Sequence, residues 1–239
     1  MRPDKSDRCR SQTERSCPIK VLELFAGQRC IGKAFEQHGH EVFSIDYDKR
    51  HCDIDWYADI GEITAADILS RFGRPDVIWA SPDCSTYSIA AISHHRTREP
   101  CGNLVPKSDY AAFCDKVNKN LLQLIAELGP VFWFIENPRG GMRKMGFMKG
   151  LPRYTVTYCQ YGDERMKPTD IWTNHPNPRF KPMCKNGDPC HAAAPRGSKT
   201  GTQGRKGKVA RALIPDGLCN HIANICTPAA KSLELLKSA

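Results

Sequence analysis

The feature that most constrains the fold of this chain is a regular alternation of short apolar runs with helix-like stretches. Four apolar runs have the length and composition of buried strands: 19–25, 40–45, 76–80 and 131–135. Three helix-like stretches lie between them: 30–38, 65–72 and 110–128. Strands that alternate with helices favour right-handed βαβ units. We therefore predict an α/β fold with a mostly parallel sheet and helices on both faces.

The remaining segments divide the chain into four regions. Residues 1–17 are polar and charged without periodicity, which predicts a disordered basic arm ahead of a catalytic domain at 18–174. Proline, glycine and basic residues dominate 175–212, which predicts a small loop-rich lobe. Residues 213–239 are expected to complete the catalytic domain.

Shorter elements are expected late in the chain. Residues 154–158 and 170–173 predict short strands, as an antiparallel pair at one side of the sheet. A pair of helices is predicted at 216–225 and 229–236, because Pro215 and Pro228 stand where helices begin.

Composition indicates which kind of partner the protein binds and in which compartment it is expected. The 239 residues carry 35 Lys and Arg against 26 Asp and Glu, a net charge of +9 that favours a polyanionic partner such as nucleic acid. No segment approaches the roughly 20 consecutive apolar residues that span a bilayer, and the start lacks a signal-peptide core, so a cytoplasmic protein is expected. The 12 cysteines are then more plausible as thiols, metal ligands or a nucleophile than as a disulfide framework.

Three strand ends in series indicate a nucleoside-containing cofactor. Gly27 follows the first strand and opens a helix, so the backbone there can approach a ligand closely. Asp46 follows the second strand at the spacing of a ribose-binding carboxylate, and Asp59 and Ile60 could flank an adenine ring. A glycine turn of the kind common to α/β proteins is the alternative reading of Gly27 alone.

A thiol and a carboxyl group follow two further strands. Cys84 comes after the strand at 76–80, and Glu136 comes after the strand at 131–135. If these strands are neighbours, both side chains face one pocket, where they suit attack on an electron-poor ring. An inert buried thiol is the alternative for any one cysteine, and the pairing of strand ends favours the catalytic reading.

A third group of residues could bind a metal. Cys184, Cys190 and His191 lie within eight residues around an Asn-Gly turn, and could bind zinc if Cys159 or His175 supplies a fourth ligand. Thiols in a loop are the alternative. Glycines, hydroxyls and cations interleave at 196–208, which suits either a phosphate-binding loop or a solvated linker.

These motifs, in this order, resemble a known family. The matching segments are Leu24-Phe25-Ala26-Gly27, Asp46, Asp59-Ile60, Ser81-Pro82-Asp83-Cys84-Ser85-Thr86-Tyr87-Ser88, Glu136-Asn137, Tyr161-Gly162, Ile214-Pro215 and Leu218-Cys219. Together they are similar to the ordered motifs of DNA cytosine-5 methyltransferases, over residues 19–174 and 214–226.

The resemblance implies a Rossmann-like class I methyltransferase fold that uses S-adenosylmethionine, in a compact enzyme of the phage or prophage kind. It implies that Cys84 adds to carbon 6 of a flipped cytosine in double-stranded DNA while Glu136 engages ring nitrogen 3. The residues that it places at the cofactor are Phe25, Ala26, Gly27, Asp46, Tyr47, Asp59, Ile60 and Pro82. Those that it places at the DNA are Ser88, Asn137, Arg139, Arg165 and Lys167, with 175–212 as the DNA-recognition lobe of a monomer in a bacterial host cytoplasm.

The chain departs from the family pattern at three places. Asp83 replaces the proline before the nucleophile, and its charge should raise the pKa of Cys84 if it points toward the sulfur. Arg29 replaces a glycine, and 163–167 replaces a paired-arginine motif. A different transferred group, an RNA substrate or a catalytically silent DNA-binding protein therefore stand as alternatives.

Overall fold

The computed structural model describes residues 18–100, 102–193 and 208–237. Its strands are β1 (Lys20–Leu24), β2 (Glu41–Asp46), β3 (Trp56–Tyr57), β4 (Val77–Ala80), β5 (Arg96–Arg98), β6 (Leu104–Pro106), β7 (Phe132–Pro138), β8 (Arg153–Thr157) and β9 (Pro168–Thr173). Its α-helices are α1 (Cys30–Gln37), α2 (Ala65–Arg71), α3 (Ile92–His95), α4 (Asp109–Leu128), α5 (Lys208–Ala212) and α6 (Asp216–Lys237). Short 3-10 helices occupy Met142–Lys144, Gly146–Met148 and Tyr158–Tyr161.

Seven of these strands form one sheet in the order β3-β2-β1-β4-β7-β9-β8. The first five are parallel to one another, whereas β9 runs antiparallel to both β7 and β8. This arrangement confirms the mostly parallel sheet and the antiparallel pair at one side. The hairpin of β5 and β6 is separate and was not predicted.

Helices cover both faces of the sheet, as predicted. Successive strand residues point to opposite faces, so Val21 and Leu22 of β1 enter different cores. Leu22 and Ile78 pack with residues of α2 and α4, whereas Val21 and Trp79 pack with residues of α1 and α6. The central strands are therefore buried on both sides, which is why they read as continuous apolar runs.

Local sequence signals set the bounds of the helices that follow β3 and β6. Thr64 and Asp67 form a capping box that starts α2. The Ser108 side chain accepts a hydrogen bond from the Ala111 backbone at the start of α4, and Gly129 ends that helix with a φ of 55°.

Strand β7 extends three residues beyond its predicted end at 135. Glu136 and Asn137 pair with Ile171 and Asp170 of the antiparallel β9, and both are buried. The sequence did not predict this extension, because strand prediction relies on apolar residues and these side chains are polar. Glu136 consequently projects from within the sheet rather than from a loop after it.

The predicted pair of C-terminal helices is wrong. A single helix, α6, continues through Pro228 to Lys237. A proline inside a helix loses one backbone hydrogen bond and disfavours the helix by roughly 3 kcal/mol. Burial of Leu218, Ile222 and Cys226 against the sheet anchors the preceding turns and offsets that cost.

Two predicted segments lie outside the described residues: the arm at 1–17 and positions 196–207 of the basic loop. Two parts of the predicted lobe are described: 175–193, which contains no helix or strand, and 208–212, which is α5. Within the described residues, none of the helices is both long enough and apolar enough to cross a membrane.

Candidate active site

Backbone hydrogen bonds align the carboxyl ends of β1, β2 and β3. The Ala26 N–H donates to the Ile45 carbonyl at 3.1 Å, and the Ala58 N–H donates to the Asp46 carbonyl at 3.1 Å. The Gly27 N–H donates to a carboxylate oxygen of Asp46 at 2.9 Å. The loops that carry the predicted cofactor residues therefore lie side by side along one edge of the sheet.

The first of these loops has an unusual backbone. Phe25, Gly27 and Arg29 all adopt left-handed conformations, with φ values of 55°, 53° and 56°. A Cβ at Gly27 would meet only the Phe25 carbonyl, at 3.9 Å, so the space beside the loop is open to a ligand. Arg29 adopts the conformation that a glycine would take most easily, so its departure from the family pattern leaves the loop geometry in place.

The second loop presents a buried carboxylate and an exposed aromatic ring. Asp46 accepts hydrogen bonds from the backbone N–H groups of Gly27 and Asp48. A carboxylate has about four acceptor positions, so two remain for other donors such as ribose hydroxyls. Tyr47 beside it is 61% exposed and can cover a ligand.

The third loop offers less side-chain surface. Asp59 accepts a hydrogen bond from the Gly61 backbone at 2.8 Å, which shapes the turn. Ile60 is only 3% exposed, and its carbonyl accepts a hydrogen bond from the Asn120 side chain. Ile60 is thus mainly a core residue, and little of its side-chain surface is available for the predicted contact with an adenine ring.

The predicted neighbours β4 and β7 are adjacent and parallel. Ala80, the last residue of β4, pairs with Ile135 of β7. Cys84 lies four residues beyond Ala80, and Glu136 lies one residue beyond Ile135, so both emerge at the same edge of the sheet. The premise that brought these two groups together in the sequence is confirmed.

The charges around Cys84 favour its neutral thiol. Burial, together with the carboxylates of Asp83 and Glu136, raises the pKa of Cys84 to about 11, whereas Lys167 opposes the rise. The predicted effect of Asp83 is confirmed in direction. The Asp83 carboxylate also accepts a hydrogen bond from the Ser85 N–H at 2.6 Å, which fixes the turn that carries the thiol.

Glu136 is held in a buried polar cluster. Burial raises the pKa of its carboxyl group, while Lys167 and a hydrogen bond from Tyr158 oppose that rise. The Tyr158 hydroxyl donates to Glu136 at 2.9 Å. The Lys167 ammonium lies 4.3 Å from the centre of the Tyr158 ring and donates to the Arg211 carbonyl at 3.0 Å. Burial lowers the pKa of Lys167.

Asn137 connects the two strand ends. Its side-chain N–H donates to the Pro82 carbonyl at 3.0 Å, and the residue is fully buried. Its side-chain oxygen has no hydrogen-bond partner among the described residues. A buried polar atom without a partner is costly, so this oxygen is a candidate acceptor for a ligand.

Arg165, which the resemblance makes available for the phosphates or the base edge, is buried. Arg165 is 1% exposed, and its Nε donates to Asp163 at 2.9 Å, because the adjacent carboxylate draws the guanidinium into the protein. Its Nη1 is buried and has no hydrogen-bond partner in the described part of the chain. Nη1 can therefore donate a hydrogen bond only to a group that enters the interior of the protein.

Two other predicted DNA ligands lie nearer the surface. Arg139 is exposed just beyond β7, and its backbone N–H donates to the Pro168 carbonyl. Ser88 is half-buried, and its hydroxyl accepts a weak hydrogen bond from the Ala90 N–H at 3.3 Å.

A buried network behind the cysteine loop was not predicted. Arg96 donates to both carboxylate oxygens of Asp115 and to the Thr86 carbonyl and hydroxyl. The Tyr87 hydroxyl donates to Asp115 at 2.7 Å. Thr86 and Tyr87 lie in the motif around Cys84, and that motif was the one sequence signal for this network. The network ties the Cys84 loop to α4.

The predicted metal ligands Cys184, Cys190 and His191 also lie together. Cys159 is their neighbour, whereas the His175 ring lies 4.4 Å from the Phe132 ring in a tilted arrangement and contacts the Ile225 carbonyl.

The sheet, the ligand-accessible loop at its edge and the cysteine and glutamate on adjacent strands define a Rossmann-like methyltransferase. No protein-family model matches the chain. The chain is 30% identical over 162 residues to a probable DNA (cytosine-5)-methyltransferase of Frog virus 3, covering 65% of this chain and 71% of the relative. It belongs to the DNA (cytosine-5)-methyltransferase family and is a cytosine-5 methyltransferase.

Solved structures show a more distant likeness. The Dnmt2 methyltransferase of S. pombe has a TM-score of 0.46 and 16% identity, over 66% of this chain and 49% of that one. The methyltransferase EhMeth of Entamoeba histolytica has a TM-score of 0.47 and 14% identity, over 66% and 53%. A triple mutant of Spodoptera frugiperda DNMT2 has a TM-score of 0.43 and 16% identity, over 65% and 49%. The chain spans about half the length of these proteins.

Proposed function

We propose that this protein transfers a methyl group from S-adenosylmethionine to carbon 5 of cytosine in double-stranded DNA, acting as a monomer through a covalent Cys84 adduct. The observation that carries the proposal is the placement of Cys84 just beyond β4 and of Glu136 on the adjacent parallel strand β7, where the Glu136 carboxylate raises the pKa of Cys84. The name of the Frog virus 3 relative and the net charge of +9 support DNA as the substrate.

The residues along the β1, β2 and β3 ends fit a nucleoside cofactor. Gly27 leaves open space, Asp46 has spare acceptor positions and Tyr47 is exposed. When bound there, S-adenosylmethionine supplies an electrophilic methyl group and a positive charge on sulfur. That positive charge would favour the Cys84 thiolate, which the protein alone disfavours.

The chain's own residues account for activation of the base. The Cys84 thiolate forms a bond to carbon 6 while a proton held by Glu136 is shared with ring nitrogen 3, so electron density moves to carbon 5. Carbon 5 then takes the methyl group, and the sulfur–methyl bond would break with its electron pair left on the cofactor's sulfur. Loss of the carbon 5 proton to solvent and cleavage of the sulfur–carbon 6 bond return the thiolate. Burial raises the pKa of Glu136, which favours the protonated form that this role requires.

The target base must leave the duplex to reach this edge of the sheet. Asn137 and Arg165 each keep a buried polar atom without a partner among the described residues, and both lie on the segments that carry the site. We propose that these atoms bind the flipped cytosine, with Arg139 and Lys167 near its phosphates. The lobe at 175–212 would contact the surrounding duplex.

The experiment is incubation with labelled S-adenosylmethionine and duplex DNA of mixed sequence, followed by mass spectrometry of the nucleosides. We expect 5-methylcytosine from the wild type and from the control Cys52→Ser, which removes an exposed thiol. Cys84→Ser and Glu136→Gln should reduce the product by at least about 100-fold, the usual scale of acid–base and nucleophilic contributions.

Each other outcome contradicts part of the proposal. Methylation of RNA alone would show that the substrate is RNA rather than DNA. A larger adduct on cytosine would show that the transferred group is not a methyl group. Activity retained in Cys84→Ser would exclude the covalent step. DNA binding with no product and no trapping on 5-fluorocytosine DNA would indicate a catalytically silent protein.

A further inference from the structure

Three thiols and one imidazole converge where the predicted lobe meets the end of β8. Cys159 lies in the 3-10 helix Tyr158–Tyr161, and Cys184, Cys190 and His191 lie in the irregular segment after β9. Their ligand atoms all lie within 4.8 Å of one another. The fold thus brings Cys159 to three residues that lie 25 or more positions later in the sequence.

The separations match tetrahedral zinc coordination. Zinc–sulfur bonds of about 2.3 Å and zinc–nitrogen bonds of about 2.0 Å place ligand atoms roughly 3.5–3.8 Å apart in a tetrahedron. Cys190 Sγ lies 3.7 Å from Cys159 Sγ, and His191 Nδ1 lies 3.7 Å from Cys184 Sγ and 3.4 Å from Cys190 Sγ. Two of these three separations therefore fall in the required range, and the third lies just below it.

The Cys159–Cys184 pair is the closest of the set. Their sulfur atoms are 3.0 Å apart, beyond the roughly 2.05 Å of a disulfide bond. An increase of under about 1 Å would bring this pair to the spacing of tetrahedral zinc ligands. Three thiolates with one imidazole select zinc over hard cations such as Mg²⁺ and Ca²⁺.

The surroundings suit a structural metal rather than a catalytic one. Four protein ligands fill a tetrahedral shell, so no position remains for a substrate. Cys159 and Cys184 are buried, whereas Cys190 is exposed and gives an entry path for the ion. The Cys184 N–H also donates to the Thr157 hydroxyl, so the backbone of the segment is already fixed beside β8.

We propose that Cys159, Cys184, Cys190 and His191 bind one zinc ion that fastens the segment at 184–191 to the catalytic domain. The ion would stabilise the helix that begins at Tyr158, whose hydroxyl binds Glu136. Two further contacts follow the same path: the Lys181 N–H donates to the Tyr161 hydroxyl, and the Ala192 N–H donates to the Glu164 carbonyl. This segment lacks a helix, a strand or a continuous core, which is the situation in which small units use a metal.

The test is metal analysis of the purified chain under reducing conditions, by mass spectrometry of the elements. We expect about one zinc per chain in the wild type and in Cys52→Ser, and below about 0.2 in Cys159→Ala and Cys190→Ser. Cobalt substitution should give sulfur-to-cobalt charge-transfer absorption in the wild type, reduced in Cys190→Ser. Wild-type protein is also titrated with zinc against a chromophoric chelator, so poorly folding variants do not decide the result.

Three results would overturn the proposal. The first is failure of reduced wild type to take up zinc in that titration. The second is full zinc content in Cys190→Ser and Cys159→Ala. The third is a Cys159–Cys184 disulfide in place of the metal. None of these measurements uses methyl transfer, so they are independent of the proposed function.

Discussion

Gly140 lies against the Tyr87 carbonyl so closely that a Cβ at position 140 would stand 2.5 Å from that oxygen. The adjacent Gly141 N–H donates to the same carbonyl at 2.6 Å. The loop that follows Cys84 therefore rests on the turn that follows β7. Because both strand ends carry catalytic candidates, this contact sets their relative position.

Gly140→Ala should displace the Cys84 loop. Relief of the contact requires movement of backbone rather than of a flexible side chain, so we expect a loss of about 1–3 kcal/mol in the free energy of unfolding and a lower methylation rate. Gly146→Ala is the matched control, since nothing lies within 4 Å of a Cβ there. Urea unfolding and product formation are the measurements. Equal behaviour of the two variants would show that the contact is unimportant.

The Arg96–Asp115 pair makes a second prediction about the same loop. Both residues are buried, and Asp115→Ala leaves the Arg96 charge without its partner, which typically costs about 3–5 kcal/mol. The neighbouring Lys116→Ala removes only an exposed pair with Glu62 and should leave stability unchanged. Urea unfolding compares the two. Similar losses in both variants would contradict a structural role for the buried pair.

The pKa of Cys84 predicts how its reactivity depends on pH. Because the thiolate is the reactive form and the pKa is about 11, alkylation of Cys84 by iodoacetamide should keep rising with pH up to that value. Asp83→Asn removes a nearby negative charge and should shift the profile to lower pH. Glu127→Gln, an exposed carboxylate at the end of α4, is the control. Mass spectrometry of the Cys84 peptide gives the rate, and an unshifted Asp83→Asn profile would exclude the charge effect.

The sequence could predict the strand ends that carry Cys84, Gly27 and Asp46, because apolar runs in a parallel sheet end where polar residues begin. It could not predict that β7 continues through Glu136, since that extension depends on pairing with a strand more than 30 residues later. The orientation of Arg165 depends on a contact with Asp163 that spacing alone does not reveal.

The metal cluster likewise has ligands that the sequence could predict and one that required the structure. Spacing identified Cys184, Cys190 and His191, which are close in sequence. The choice of Cys159 over His175 required the fold, because both precede the cluster and only the path of the chain after β8 brings one of them to it.

A buried carboxyl group on β1 makes the last prediction. Glu23 is 2% exposed, and its Oε2 has no hydrogen-bond partner among the described residues. Gly32 packs against it, and a side chain at position 32 would collide with the carboxyl oxygen. Burial raises the pKa of Glu23 from 4.5 to about 7, although nearby backbone N–H groups and Arg29 oppose the rise.

Glu23 should therefore make the folded protein less stable as the pH rises. The folded-state pKa exceeds the unfolded value, so the neutral carboxyl contributes its full stability below pH 4.5 and loses it as the pH rises through about 7. A shift of this size corresponds to about 3 kcal/mol. Glu23→Gln stays neutral throughout, so its free energy of unfolding relative to wild type should increase by that amount between pH 4.5 and about pH 8. Urea unfolding across this range measures the difference, with the exposed Glu41→Gln on β2 as the control. Parallel pH profiles for wild type and Glu23→Gln would mean that Glu23 ionises as easily in the folded chain as in the unfolded one.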